Sequence, residues 1–200
     1  MNARHHAVIV SAVRTPMGSF NGSYSSVPAT KLGSLAIAEA VKRIQLPGDR
    51  IDEVLMGCVL SAGLGQAPAR QAAIGAGLPH SVGAVTVNKV CGSSLQAIMM
   101  ATRAIALGEA NVMVAGGMEN MTRAPFLLEK ARQGYRLGHG ELTDSLIKDG
   151  LWDVYNQFHM GNAGELCAAK YRLSRQDVDD FALESYSRAS DAIARGAFKK

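Results

Sequence analysis

Apolar and polar positions along the first part of the chain follow two periods, one typical of strands and one typical of helices. Apolar, β-rich runs predict four strands, at residues 8–13, 54–60, 84–90 and 111–115. Apolar residues at helical spacing predict three helices between them, at 30–44, 67–77 and 93–107. Because each helix is long enough to connect parallel strands, we expect an α/β layer fold with the order βαβαβαβ.

The third predicted helix, 93–107, is unusual because it carries almost no charge. Arg103 is its lone cation, and no broad polar face runs along it. We therefore expect this helix to be buried on most sides.

The sequence changes character after Met118 and becomes charged, with frequent proline and glycine and no strand signal. Its predicted elements are helices at 142–148, 163–171 and 175–194. Ser174 and Asp177 form a capping box for the last helix, and Gly196 ends it. We therefore predict a core domain at 1–118 and a mostly helical domain at 119–200.

Composition and charge exclude several classes of protein. The chain has 200 residues and 48% apolar content, as expected of a globular protein. Its net charge of +4 is scattered, which does not favour nucleic acid, although it would suit a ligand that carries phosphates. Apolar runs such as 7–13 and 112–115 are too short for a membrane span, so we expect a soluble, cytoplasmic protein without a membrane partner.

Three cysteines, an odd number at long spacings, indicate neither a disulfide framework nor a metal site. We expect a reducing compartment and no bound metal. Cys58, in an apolar strand, and Cys167, on an alanine-rich helix, are interpreted as small buried apolar residues.

Cys91 differs because it lies between a predicted strand and a predicted helix. The N-terminus of a helix carries a partial positive charge that favours a thiolate, and its free N–H groups can face a developing oxyanion. Gly92 allows a substrate to approach the backbone, and Ser93 or Ser94 can cap the helix. Position alone leaves two alternatives open, a nucleophile and a plain core cysteine.

The segment NKVCGSSLQA at 88–97 resembles the nucleophile motif of the thiolase family. Four further segments resemble blocks of that family in the same order, namely 10–18, 65–73, 115–125 and Phe158-His159-Met160-Gly161 with Glu165. The five blocks cover nearly the whole chain. The resemblance implies a thiolase-like N-terminal α/β core with layered helices at 1–118, followed at 119–200 by an incomplete loop domain for substrate binding and oligomerisation.

The resemblance also implies a role for particular residues. Cys91 would accept the acyl group of an acyl-CoA as a thioester, and its N–H would line an oxyanion hole. His159 and Met160 would border the acyl and pantetheine end of the CoA thioester, which is a substrate, so no separate cofactor is expected. Charged and polar positions with less certain roles, several of which serve subunit contacts in the family, are Arg70, Asn88, Lys89 and Arg123.

The implied reaction is the thiolase-type Claisen condensation of two acetyl-CoA into acetoacetyl-CoA and CoA, or its reverse. The segment 158–161 leans towards this short-chain type. A 3-ketoacyl-CoA thiolase of fatty-acid β-oxidation stays open as an alternative. A condensing enzyme that uses acyl carrier protein fits less well, because the segments after Met118 resemble thiolases.

Members of the family are longer and carry further catalytic groups in a second half. Those groups are a histidine that activates the nucleophile, a second cysteine, and an asparagine–histidine pair. None of His5, His6, His80 and His139 matches such a histidine, so the C-terminal catalytic domain is expected to be absent.

Loss of a general base costs about 10²- to 10⁴-fold in rate, so the isolated chain should be nearly inactive. We expect it to expose apolar surface and to associate, either with itself or with a complementary half. The alternative function is that of a truncated, inactive subunit for CoA binding or assembly.

Overall fold

The computed structural model describes residues 6–198. Contacts between Cα atoms divide the chain into two compact units, Met1–Gly150 and Leu151–Lys200, which are described separately below. The domain boundary that composition places at residue 118 stays a prediction.

The first unit is built on a parallel sheet of three strands, β1 (Glu53–Gly57), β2 (Gly83–Val87) and β3 (Met113–Gly117). The strand order is β2-β1-β3, and the register places Gly57 beside Val87 on one side and beside Gly117 on the other. The C-terminal ends of all three strands therefore meet at one edge of the sheet.

Helices cover both faces of this sheet: α1 (Ala29–Arg43), α2 (Pro68–Gly75) and α3 (Ser93–Leu107). Alternate residues of a strand point to opposite faces. Val54 and Met56 belong to one buried cluster with residues of α1 and α2, whereas Leu55 belongs to a second with Ala97 and Ala101 of α3. The layers are therefore helix, sheet and helix, and the predicted α/β layer fold is confirmed.

The remainder of the first unit is less regular. A 3-10 turn covers Met121–Arg123, and the short strands β4 (Phe126–Leu127) and β5 (Thr143–Asp144) pair antiparallel. A π-helical turn follows at Leu146–Leu151. The predicted helix at 142–148 is therefore wrong over its first part, because Thr143–Asp144 is bonded to a strand.

The second unit opens with the paired strands β6 (Trp152–Asp153) and β7 (Phe158–His159), followed by α4 (Met160–Tyr171) and α5 (Arg175–Ala194). The expectation that this half of the sequence lacks strands is wrong, since two-residue strands are too short to leave a periodic signal. The capping box of α5 is confirmed: Asp177 N donates to Ser174 Oγ (3.1 Å) and Ser174 N donates to Asp177 Oδ2 (2.8 Å).

The segment 8–13 does not form the predicted first strand. It has no regular secondary structure: its backbone pairs with none of β1–β7, and the side chains of Val8 and Ile9 are 75% and 81% exposed. Across from it lies β3, which among the described residues has a strand neighbour only on its β1 side. A groove of about 470 Å³ is lined by 7–13, 112–117 and residues of α1 and α3. The prediction fails because a strand needs a hydrogen-bonded neighbour.

Helix α3 is also less buried than predicted. Ser93, Ala97 and Ala101 are its buried residues, whereas Leu95 is 62% and Leu107 73% exposed. Its inner face packs on the sheet, and its outer apolar face is open in the described chain. This outcome contradicts burial on most sides and confirms the expected exposure of apolar surface.

The stretch Val90–Leu107, which is longer than the apolar runs at 7–13 and 112–115, is a candidate membrane span among the described residues. Its 18 residues have a mean hydropathy of 1.3 and pass a test for a span by length and composition. Its helical part, α3, has 15 residues and so a length of about 22 Å, below the ~30 Å of a bilayer core. Core helices of soluble proteins pass the same test, so the result is weak evidence.

Candidate active site

Cys91 lies at the C-terminal edge of the sheet, in the tight turn between β2 and α3. Gly92 N donates to Lys89 O (3.0 Å) and Ser93 N to Val90 O (3.1 Å), which folds the chain back directly before the helix. The Cys91 side chain is exposed. The predicted position between a strand and a helix is confirmed. The predicted serine cap is wrong, because the N-cap residue is Gly92 and no side chain caps α3.

Two glycines at the strand ends let α3 begin directly against the sheet. A Cβ at Gly57 would lie 2.7 Å from Ser94 N and 2.8 Å from the carbonyl carbon of Ser93. A Cβ at Gly117 would collide with Ser94 Oγ and lie 3.1 Å from Ser94 Cβ. Real Cβ atoms do not approach other atoms this closely. The missing side chains of Gly57 and Gly117 therefore set the position of the helix that follows Cys91.

Glu119 ties the segment after β3 to the segment after β1. Its carboxylate accepts hydrogen bonds from Val59 N (2.8 Å) and Leu60 N (3.2 Å), and Cys58 Sγ donates to it at 3.7 Å. Next to it, the Asn120 side chain donates to two carbonyls of the loop before α1. These contacts fix the strand ends on which the Cys91 turn rests.

Cys58 is buried, as predicted, with 2% of its surface exposed. Burial, the negative charge of Glu119 and the hydrogen bond to Glu119 together raise the pKa of Cys58 to about 12. Folding therefore favours the protonated thiol. This contribution to stability is complete below about pH 9, where a thiol ordinarily ionises, and is lost as the pH rises towards 12.

We expect Cys58 to resist iodoacetamide in the native chain between pH 7 and about 9, since a thiol reacts as its thiolate and this one is enclosed. Peptide mass spectrometry after timed labelling should find Cys91 modified while Cys58 is not. Labelling in denaturant, where every thiol is open, provides the reference rate. Equal rates at Cys58 and Cys91 in native buffer would contradict the described burial.

The prediction that Cys167 is a buried apolar residue on a helix is wrong, because Cys167 is exposed on α4. The reason is that none of the residues of α4 is buried in the described chain. Cys167 is therefore a useful second exposed thiol with which Cys91 can be compared.

His159 and Met160 lie in the second unit, where β7 passes into α4. His159 is the N-cap residue of α4, and its Nδ1 accepts a hydrogen bond from Gly161 N (3.0 Å). In a neutral ring an accepting Nδ1 leaves the proton on Nε2, which can then donate to a ligand. Met160 is 40% exposed. A ligand site shared by these residues and Cys91 stays a prediction.

The four less certain residues make local contacts in the described chain. The Arg70 guanidinium donates to Val82 O and to His80 O (2.7 Å), and Arg123 reaches Ser26 O at 3.5 Å. In the Cys91 turn, Asn88 Oδ1 accepts from Val90 N (3.0 Å), and Lys89 Nζ donates to Gln96 Oε1 (3.1 Å). Asn88 and Lys89 therefore support the turn in which they lie, whereas Arg70, on α2, and Arg123 tie their own segments to loops elsewhere in the chain.

Metal binding finds no support in residues 6–198, where no group of three or more His, Cys, Asp or Glu side chains is placed to hold an ion.

Comparison with known proteins places this chain in a family. The model of the thiolase N-terminal domain matches residues 7–200. Acetyl-CoA acetyltransferase 2 of Arabidopsis thaliana is 56% identical over 190 residues, which cover 95% of this chain and 47% of the relative. Acetyl-CoA acetyltransferase of Schizosaccharomyces pombe is 52% identical over 192 residues, covering 96% and 49%. The probable acetyl-CoA acetyltransferase of Escherichia coli K12 is 50% identical over 192 residues, covering the same shares.

The chain belongs to the thiolase family, because the family model matches nearly all of it. It spans about half the length of the curated relatives it matches. The resemblance read from the five sequence blocks is thereby confirmed.

No sequence pattern assigned Gly57, Gly117 or Glu119 a role at the site, and Ser93 was expected only to cap the helix. A usable signal was present for the glycines: Gly57 lies inside the predicted strand 54–60 and Gly117 just after the predicted strand 111–115, and a glycine within a strand often marks the close approach of another backbone. The contact of Gly57 with the start of α3 joins residues far apart in sequence, so no local pattern reports it.

Proposed function

We propose that this chain is the nucleophile-bearing half of a thiolase that interconverts two acetyl-CoA with acetoacetyl-CoA and CoA. The observation that carries the proposal is an exposed cysteine, Cys91, in the tight turn directly before α3 at the C-terminal edge of a parallel sheet. Ligand sites in open α/β sheets lie at this edge. The close relatives named acetyl-CoA acetyltransferase favour the acetyl group as the substrate.

In the proposed acyl transfer, the Cys91 sulfur attacks the carbonyl carbon of the acyl-CoA thioester. A new bond forms between sulfur and carbon, the bond to the CoA sulfur breaks, and CoA leaves as a thiolate that takes up a proton. The unpaired backbone N–H groups at the start of a helix favour negative charge nearby and so assist both the nucleophile and the tetrahedral intermediate.

Binding of the acyl-CoA is assigned in this proposal to His159 and Met160. The free Nε2 proton of His159 can donate to a carbonyl oxygen, and the exposed thioether of Met160 supplies a soft apolar surface for a short acyl chain. A 3-ketoacyl-CoA thiolase with longer substrates would use the same residues.

The second step, in which the acyl group reaches its acceptor, needs an acid and a base from the half of the relatives that this chain does not span. Support for such a partner comes from the groove between 7–13 and β3, where the edge of β3 has no strand neighbour among the described residues. We propose that a further strand from the other half of the thiolase fills it, because a strand can pair with the free edge of β3.

Ser11 indicates that the segment 7–13 is not in its final arrangement. Its Oγ is enclosed and has no hydrogen-bond partner among the described residues. An enclosed hydroxyl without a partner costs about 1–3 kcal/mol, which favours a shift of this segment when a further strand enters the groove. The exposed apolar residues of 8–10 would be covered in the same step.

A second candidate function is that of an inactive subunit for CoA binding or assembly. The observation in its favour is the coverage of about half of each relative. It predicts binding of acyl-CoA without transfer to Cys91.

Complementation separates the two candidates. We expect purified chain mixed with the unmatched half of the Arabidopsis relative to cleave acetoacetyl-CoA with CoA at least about 10²-fold faster than either polypeptide alone, because the missing acid and base are restored. The measurement is the loss of acetoacetyl-CoA absorbance, repeated with a longer 3-ketoacyl-CoA to rank chain lengths.

The control for complementation is the same mixture with Cys91→Ala, which should fall to the rate of the separate halves. A mixture that forms a complex on gel filtration and still shows no thiolysis would support the inactive-subunit function. Faster turnover of the longer substrate would move the assignment to a 3-ketoacyl-CoA thiolase.

A further inference from the structure

The Ser93 hydroxyl bonds to the backbone of both residues that directly precede the nucleophile, Lys89 and Val90. It accepts a hydrogen bond from Lys89 N (2.8 Å) and donates one to Val90 O (2.6 Å). Ser93 is 4% exposed, so these bonds lie out of reach of competing water. One buried side chain therefore closes the turn that carries Cys91.

This turn contains a strained residue. Val90 has φ +47°, a left-handed conformation that is rare for a β-branched side chain. Such strain costs about 1–3 kcal/mol and persists only where neighbouring contacts maintain it. Around Val90 those contacts are the Asn88 side chain on its N–H and the Ser93 hydroxyl on its carbonyl oxygen.

Ser93 is itself held by the sheet. A Cβ at Gly57 would lie 2.8 Å from Ser93 Cβ, so the serine packs directly on the end of β1. The line of contacts runs from β1 through the Ser93 side chain to the strained turn. The neighbouring Ser94 is exposed, and among the described residues its hydroxyl makes no hydrogen bond.

We infer that Ser93 is a positioning residue for Cys91: its hydroxyl maintains the strained Val90 conformation that presents the thiol at the N-terminus of α3. The inference rests on the proposed role of Cys91 as nucleophile. Without the hydroxyl, Lys89 N loses its partner and Val90 O keeps only the bond from Ser93 N, so Val90 relaxes and the Cys91 sulfur spends less time beside the N–H groups of the helix. Loss of orientation slows reaction even where the reacting group is intact.

The test compares Ser93→Ala with Ser94→Ala, the same change one residue further along the helix. We expect the iodoacetamide rate of Cys91 to fall by about fivefold or more in Ser93→Ala and to stay within about twofold of the parent chain in Ser94→Ala. Ser93→Thr keeps a hydroxyl and should retain more of the parent rate than Ser93→Ala. Unchanged Cys91 labelling in Ser93→Ala, with Cys58 still protected, overturns the inference.

Cys58 reports whether a variant has unfolded, since it is open only in an unfolded chain. If Ser93→Ala exposes Cys58, the comparison moves to a Val90→Gly background, where glycine adopts positive φ without strain and the fold is relieved. There, Ser93→Ala should slow Cys91 labelling by less than about twofold, because glycine keeps a positive φ without support from the hydroxyl. A fivefold or larger loss of labelling in that background, with Cys58 still protected, also overturns the inference, because the hydroxyl would then not act through the Val90 conformation.

A second readout connects the residue to the reaction. In the complemented enzyme, Ser93→Ala should lower kcat for thiolysis by about tenfold or more and leave the KM for CoA within about twofold, because the substrate contacts are intact. If no variant, the parent included, shows thiolysis while the labelling difference holds, the proposed function fails and the positioning role stands.

Discussion

Cys91→Ser is expected to lower the rate of acetyl transfer from acetyl-CoA to the chain by about 10³-fold or more. A serine hydroxyl is hardly ionised near neutral pH and lacks the matched leaving-group chemistry by which one thiolate replaces another on a thioester. The substitution replaces a single sulfur atom by oxygen at an exposed position, so the fold should persist. The measurement is the fraction of chain that gains one acetyl group, followed by intact-mass spectrometry.

The matched control for this experiment is Cys167→Ser. Cys167 is also exposed, on α4, so it reports what exposure alone allows an acyl-CoA to do. Acetylation should survive in Cys167→Ser and should be reversed by thiols such as CoA. Equal loss of the acetyl group in both variants, or its appearance mainly on Cys167, would remove Cys91 as the acyl acceptor.

Gly57→Ala is expected to lower the free energy of unfolding by about 3 kcal/mol. The added methyl group would lie 2.7 Å from Ser94 N and 2.8 Å from the carbonyl carbon of Ser93, and backbone atoms cannot rotate away as a side chain does. Overpacking of this kind costs about 1–3 kcal/mol, and more where no relaxation is possible. Urea unfolding monitored by far-UV circular dichroism gives the change.

Gly116→Ala is the control for this prediction, at the neighbour of Gly117 on β3. A Cβ there would meet Met56 Sδ at 3.5 Å, an ordinary contact with a flexible side chain. We expect a change within about 1 kcal/mol. If Gly57→Ala and Gly116→Ala unfold at the same urea concentration, the position of α3 does not depend on the missing side chain of Gly57.

The sequence predicted the parts of this fold that depend on local pattern. The three helices of the core, the strands that became β1, β2 and β3, and the position of Cys91 between strand and helix follow from apolar periodicity and from glycine and proline signals. The capping box at Ser174 was also predictable, because its partners are three residues apart.

What the sequence could not supply depends on neighbours distant in the chain. A segment such as 8–13 has strand composition whether or not another strand lies beside it. The apolar surface of α3 indicates that the helix is buried, but it does not indicate which part of a protein covers it. The open outer face of α3 could therefore not be predicted. Likewise, the roles of Gly57 and Ser93 arise where the end of β1 meets the start of α3, and α3 follows a different strand, β2.

The order β2-β1-β3 has a consequence for synthesis on the ribosome. β1 is made first but lies in the middle of the sheet, so its backbone on both sides waits for strands that emerge later. Cys91 leaves the ribosome after β2 and before β3. At that time Gly117, which lies against the start of α3, and Glu119, which holds the segment after β1, have not been made. In nascent chains released before Glu119, the turn that carries Cys91 should therefore not yet be fixed. In such chains β1 would be the strand most exposed to non-native pairing with other strands.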